Sequence, residues 1–185
     1  MIYNSLNNKS EPAKFEEAVV RGIAPDRGLY FPEKIHRLPD SFFENIESKS
    51  IPDIAYDAIA PFLEGSIPEL ELKKIISETL DFEFPVIPIH DNIGTLELFQ
   101  GPTLAFKDVG ARFMARCLGY FNKENSSQKV TVLVATSGDT GGAVANGFLG
   151  VSGIEVVILY PKGKVSKVQE QQLTTLGQNI TALEV

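Results

Sequence analysis

One cysteine, two histidines and no apolar run of membrane length set the first limits on this chain. A lone Cys117 cannot build an internal disulfide framework or a thiolate metal site, and it suits a reducing compartment. Its neighbours Phe113, Met114 and Phe121 on an expected helix mark it as a packed thiol. His36 and His90 stand far apart and in no ligand spacing, so neither a zinc site nor a Ser-His-Asp triad has support. A membrane helix needs roughly 18 or more apolar residues in succession. The start, Met1-Ile2-Tyr3-Asn4-Ser5, also lacks a basic segment followed by an apolar one. The expectation is a cytoplasmic protein with no membrane partner. Positive charge is scarce too: 17 Lys and Arg face 24 Asp and Glu, a net charge of -7. That balance excludes nucleic acid as the main partner, because phosphate backbones reward clustered Lys and Arg. Any phosphate must be held locally, by backbone N–H groups, a helix N-terminus or a few placed cations.

What is present is an ordinary globular composition, 43% hydrophobic and 22% charged over 185 residues, enough for a real core. The first half reads as helices punctuated by proline. An amphipathic stretch with Phe15, Ala18 and Val19 ends near Gly22, Ala24-Pro25-Asp26-Arg27-Gly28 is a turn, and Leu29 to Pro32 is extended. Asp40 caps a short helix through Phe43 and Ile46. Pro52 starts another, which Pro61 ends or kinks, and a Ser66/Glu69 capping box opens a third with Leu70, Leu72, Ile75, Ile76 and Leu80 at near-helical spacing. Two extended runs, Val86 to His90 and Thr95 to Phe99, flank Asp91-Asn92-Ile93-Gly94 as a hairpin.

A helix from about Lys107 to Phe121 follows, with Val109, Phe113, Cys117 and Tyr120 or Phe121 along one face. From Lys129 onward the pattern changes. Val130 to Ala135 is a buried-type strand, Thr140 to Phe148 a helix, Ile154 to Tyr160 a strand, and Ser166 to Leu176 a helix opened by a Ser166/Gln169 capping box and closed by Gly177; a third strand starts at Ile180. This β-α-β-α-β order requires a parallel sheet, so the fold class is α/β, a helical N-terminal region followed by part of a parallel βαβαβ sheet. The last strand has no helix after it to cover it, which implies a piece of a longer protein, with an incomplete sheet edge that invites self-association.

Two constellations carry chemistry. Gly101-Pro102-Thr103-Leu104-Ala105-Phe106-Lys107-Asp108 is a turn leading through an apolar patch into a helix. Apolar surroundings disfavour the ammonium form of a lysine and present a free amine, the condition for Schiff-base chemistry. The alternative is a solvated lysine, with Asp108 as a first-turn carboxylate paired to Arg112. Ala135-Thr136-Ser137-Gly138-Asp139-Thr140-Gly141-Gly142-Ala143 lies where a parallel strand ends and a helix begins, the place where open α/β sheets bind anions. Its glycines admit close backbone approach and Thr136, Ser137 and Thr140 add hydroxyls, so it suits a carboxylate or phosphate. The alternative is that Ser137 or Asp139 simply caps the helix. The loop is neither a P-loop nor Gly-x-Gly-x-x-Gly, which disfavours nucleotide. Lys162, Lys164 and Lys167 cluster at the same sheet edge, as an anion attractor or as a solvated loop.

The segment Glu97-Leu98-Phe99-Gln100-Gly101-Pro102-Thr103-Leu104-Ala105-Phe106-Lys107-Asp108 resembles the cofactor-lysine segment of the threonine synthase family, and Ala135 to Gly141 resembles its substrate loop. Val157 to Lys164 after them, and Tyr3-Asn4-Ser5 with Gly28 to Pro32 before them, are similar as well, so the likeness covers essentially the whole chain. The resemblance implies a fold-type II pyridoxal-phosphate (PLP) lyase that converts O-phospho-L-homoserine and water to L-threonine and phosphate. Phosphate leaves from Cγ and water adds at Cβ, with PLP as the electron sink. It implies Lys107 as the catalytic, cofactor-bearing lysine whose freed amine shuttles protons, with Phe106 and Asp139 beside the cofactor. It also implies Thr103, Thr136, Ser137, Gly138, Asp139 and Thr140 around the substrate. The expected organisation is 1–95 as a helical region with hairpin, 96–128 as the cofactor-lysine segment, and 129–185 as an incomplete α/β domain. The family's later PLP-phosphate loop and pyridine-nitrogen partner have no counterpart before Val185, so the isolated chain is expected to be inactive and without tightly held PLP. Other readings are a serine or threonine dehydratase-like relative, a non-catalytic phospho-ligand binder, and a protein-interaction domain.

Overall fold

Strand β1 (Ile2–Ser5) lies between β2 (Ala13–Lys14) and β3 (Tyr30–Pro32) in an antiparallel sheet, with Tyr3 opposite both Ala13 and Pro32. The computed structural model describes residues 1–124 and 129–185. Within these the chain forms two compact units, Met1–Leu80 and Asp81–Val185. Residues 125–128 of the expected 96–128 segment lie outside the described residues.

In the first unit, α1 (Phe15–Arg21) ends at Gly22, whose φ of 69° is one that glycine adopts at little cost. The turn after it is tied by Asp26, whose carboxylate accepts from the Ser5 hydroxyl (2.6 Å) and the backbone N–H groups of Gly28 (2.9 Å) and Lys9 (2.8 Å). These donors, Ser5 first, hold the Asp26 carboxyl down at about 2. Helix α2 (Asp40–Glu44) has Pro39 at its N-cap, so Asp40 does not cap it; its carboxylate takes Arg37 at 3.1 Å. Helix α3 (Ile51–Leu63) is capped by Ser50, carries Pro52 in its first turn, and ends two residues after Pro61.

Helix α4 (Glu69–Thr79) corrects the expected Ser66/Glu69 capping box. Extended Pro68 takes the N-cap position, which makes Glu69 the first helical residue rather than the third, and its carboxylate pairs with Lys73 one turn on. Leu72, Ile75 and Ile76 are buried, whereas Leu70 is exposed.

The second unit opens with the hairpin β4 (Val86–His90) and β5 (Ile93–Leu96). Its loop is shorter than expected: Asp91-Asn92 suffice, and Ile93 and Gly94 already pair with His90 and Pro88. Helix α5 (Lys107–Glu124) precedes β6 (Val130–Ala135), α6 (Asp139–Phe148), β7 (Ile154–Tyr160), α7 (Lys167–Thr174) and β8 (Ile180–Glu184). The three strands form a parallel sheet in the order β6-β7-β8, with Val132 opposite Val156 and Val156 opposite Ile180. The mixed α/β class expected from the sequence is thus present.

Helix α6 packs on β7 and α7 on β8, burying Ile154, Val156, Ile158, Phe148 and Leu173. The other face carries Leu133, 68% exposed. Strand β6 therefore alternates half-buried and exposed residues rather than being buried throughout.

Two further expectations need correction. The buried seam of α5 runs through Asp108, Ala111, Ala115, Leu118 and Asn122, joined by Cys117 and Phe121, while Val109 and Phe113 are only half-buried. Small residues win this seam because α6 comes against it at backbone range. A Cβ on Gly147 would lie 3.0 to 3.2 Å from the Ala111 carbonyl and the Arg112 nitrogen. Helix α7 stops at Thr174 with Thr175 as C-cap, so Gly177 is not the cap; it lies beyond, at φ 64°, in the turn to β8. The Ser166/Gln169 capping box forms as expected.

Candidate active site

The turn before α5 is built around a buried carboxylate. Asp108 is 1% exposed and accepts from the Thr103 backbone N–H (2.9 Å) and hydroxyl (2.5 Å). Gly101 lies directly against it, since a Cβ there would sit 2.5 Å from Asp108 Oδ2. Leu104 donates its N–H to the Gly101 carbonyl (3.1 Å) and takes a left-handed φ of 60°, an uncommon conformation for a residue with a side chain. Arg112 reaches Asp81 at 2.7 Å and lies over the Phe82 ring. Asp108 thus serves the turn that delivers Lys107. Half-buried Lys107 begins α5 with its Nζ 5.1 Å from the centre of the Phe106 ring.

The second constellation hangs on Thr136. Its N–H extends the parallel ladder to the Leu159 carbonyl (3.0 Å), and its hydroxyl oxygen accepts from the N–H groups of Gly138 (3.2 Å) and Gly141 (3.1 Å). Gly138 occupies the N-cap of α6 and brings no side-chain cap, so neither Ser137 nor Asp139 plays the capping role; Thr136 satisfies the third helical N–H from outside the helix. Asp139 accepts from Gln169 Nε2 at 2.9 Å, and the same Gln169 closes the capping box of α7. Ser137 is exposed.

A cleft of about 480 Å³ joins the two constellations. Phe106 lines it from the turn before α5, Lys107, Gly110 and Met114 from α5, and Thr140 and Ala143 from α6. The structure therefore brings Lys107, Phe106 and Thr140 to one apolar cavity, whereas Thr103, Thr136, Ser137, Gly138 and Asp139 are not among its lining residues. Of these, Thr103 binds the Asp108 carboxylate and Thr136 binds the backbone of its own turn. Lys162, Lys164 and Lys167 are exposed, and Lys162 lies 3.7 Å from Glu184. Cys117 is buried, and burial pushes its thiol up to about 12. Among the described residues no group of His, Cys, Asp and Glu could hold a metal ion, and no helix is long and apolar enough to cross a membrane. Sequence reasoning missed Gln169 as a support of Asp139 and Gly110 as a wall of the cleft. The capping-box pattern pointed to Gln169 only as a local residue.

Residues 2–80 match the family model described as the threonine synthase N terminus. All of the chain aligns with the threonine synthase of Buchnera aphidicola subsp. Acyrthosiphon pisum at 42% identity, and with that of Escherichia coli at 41%. Over its whole length the chain is thus similar to part of the threonine synthases, with residues 2–80 matching their N terminus. It spans 42% of the length of these two relatives. The crystal structure of PLP-bound threonine synthase from Brucella melitensis superimposes on the whole chain with a TM-score of 0.91 at 34% identity, over 41% of its own length. That of Escherichia coli threonine synthase does so with a TM-score of 0.91 at 37% identity, over 42% of its length.

Proposed function

We propose that this chain is the amino-terminal part of a threonine synthase that carries PLP on Lys107 and converts O-phospho-L-homoserine and water to L-threonine and phosphate. One observation supports this above the rest: the Lys107 amine and the first turn of α6 line one apolar cleft. The residues there suit the cofactor, with Lys107 and the Phe106 ring lining the cleft together with Val109, Ala111, Ala143 and Val144. When bound, PLP supplies the electron sink that the carbanion chemistry needs.

The chain's own residues do the rest. Lys107 holds the cofactor and, once released, carries protons to and from the substrate carbons as phosphate leaves Cγ and water adds at Cβ. Phe106 and the hydrocarbon walls keep bulk water from the reacting centre. The Ser137-Gly138-Asp139-Thr140 loop offers hydroxyls and the positive end of α6 to the substrate carboxylate, and Asp139, held by Gln169, would act beside the cofactor from outside the cleft lining. Thr103 and Thr136 act on the substrate by shaping their turns. The setting is the cytoplasm, with a small-molecule substrate.

The test is borohydride reduction of the full-length polypeptide supplied with PLP, followed by peptide mapping. A pyridoxyl group on Lys107, and its loss together with threonine formation in Lys107→Ala, is the expected result. Labelling at another lysine, or undiminished turnover by Lys107→Ala, rejects the assignment.

A further inference from the structure

Five glycines lie inside the helices of the second unit, and four of them have a neighbour where a side chain would begin. A Cβ on Gly119 would meet Val151 at 3.0 Å, on Gly142 Gln172 at 3.2 Å, and on Gly147 the Ala111 backbone at 3.0 Å; on Gly141 it would collide with Thr136. Gly110 is different: nothing lies within 4 Å of that position. Glycine in a helix interior is less favourable than alanine by about 1 kcal/mol. Close packing explains the other four, but no neighbour within the structure explains Gly110.

Its location does. Gly110 follows Lys107 by three residues, which places both on one face of α5, and both line the cleft that Thr140 closes from α6. The walls around it are Val109, Ala111, Met114, Ala143 and Val144. Hydrocarbon walls suit the face of a flat ring and not a phosphate or carboxylate, which would lose its hydration there without gaining a partner. We propose that Gly110 is a fit-determining residue of the cofactor site, left without a side chain so that the pyridine ring of the cofactor held by Lys107 can lie against α5. This rests on the reading of Lys107 as the PLP lysine.

The experiment uses the full-length polypeptide with Gly110→Ala and Gly110→Leu. Two quantities are read: the melting temperature of the cofactor-free protein, and the PLP dissociation constant from absorbance titration. Filling the position should leave the cofactor-free melting temperature unchanged or raise it by about 2 to 4 °C, as better helix formers do. PLP binding should weaken about fivefold with Ala and about 100-fold or more with Leu. A Leu variant that binds PLP within twofold of the parent overturns the proposal. So does a fall in the cofactor-free melting temperature, which would assign the space to another part of the polypeptide. If the parent itself shows no pyridoxyl group on Lys107 after borohydride, the enzymatic reading and this inference fall together. If the parent is labelled and Gly110→Leu binds normally, only the inference falls.

Discussion

Asp108 receives both protons that Thr103 has to give, one from the backbone at 2.9 Å and one from the hydroxyl at 2.5 Å. This pair closes the turn over Gly101 and sets where Lys107 leaves it. The carboxylate is buried, so removing one donor leaves it short of a partner in a place water does not reach. Thr103→Val should therefore destabilise the full-length protein by about 1 to 3 kcal/mol, while Thr103→Ser stays within about 0.5 kcal/mol of the parent. Urea unfolding monitored by circular dichroism distinguishes them. Equal midpoints for Val and parent would mean that the turn is held by something else.

Thr136 plays the corresponding part for the loop before α6. Its oxygen accepts from Gly138 and Gly141, so Thr136→Val takes an acceptor from two N–H groups at once and leaves Gly141 only the Gly138 carbonyl at 3.2 Å. In the full-length polypeptide, under the proposed function, the expected outcome is a rise of about tenfold in the KM for O-phospho-L-homoserine, equivalent to about 1.4 kcal/mol, with PLP affinity changed less than twofold. Thr136→Ser should restore the parent value. Steady-state kinetics on the two variants decides it, and an unaltered KM in Thr136→Val would remove the loop from substrate binding.

Strong acid should loosen the turn around Asp26. Its folded-state carboxyl is held down at about 2, chiefly by the Ser5 hydroxyl, against roughly 3.9 for a free Asp. A depressed carboxyl contributes stability that is complete above the free value and disappears as pH falls through the folded one. The contribution is thus lost between about pH 4 and pH 2. Asp26→Asn should flatten that part of the pH dependence of the melting temperature and leave the neutral region parallel to the parent. An unchanged acid limb would contradict it.

Cys117 should be inert in the folded protein. Its thiol is buried and pushed up to about 12, so almost none is thiolate at neutral pH. Iodoacetamide at pH 7.5 should leave the Cys117 peptide unmodified on mass spectrometry until denaturant is added. Rapid alkylation of the native protein would overturn that description.

The parallel sheet was the most legible part of the chain. Val130–Ala135 and Ile154–Tyr160 coincide with the strands expected from their apolar runs, because a strand flanked by helices on its own chain carries its full pattern locally. Features that depend on a neighbour were harder to read. Pro68 displaced the cap expected at Ser66, and the α5 seam followed the small residues that meet α6 instead of the larger Val109 and Phe113. In the candidate site, Lys107 and the 136–142 loop each stood out by their local residue types. Gln169 beneath Asp139 and the empty space at Gly110 were not, since both arise from segments that meet only after folding.

The contact between Gly147 and Ala111 gives one atom unusual leverage. The helix bearing Lys107 and the helix that follows the 136–142 loop touch there through main chain, with no layer of side chains to absorb a change in thickness. A methyl group at position 147, 40 positions along the chain from the amine, would act as a wedge between them. The width of the cleft is thereby governed from a residue outside its lining.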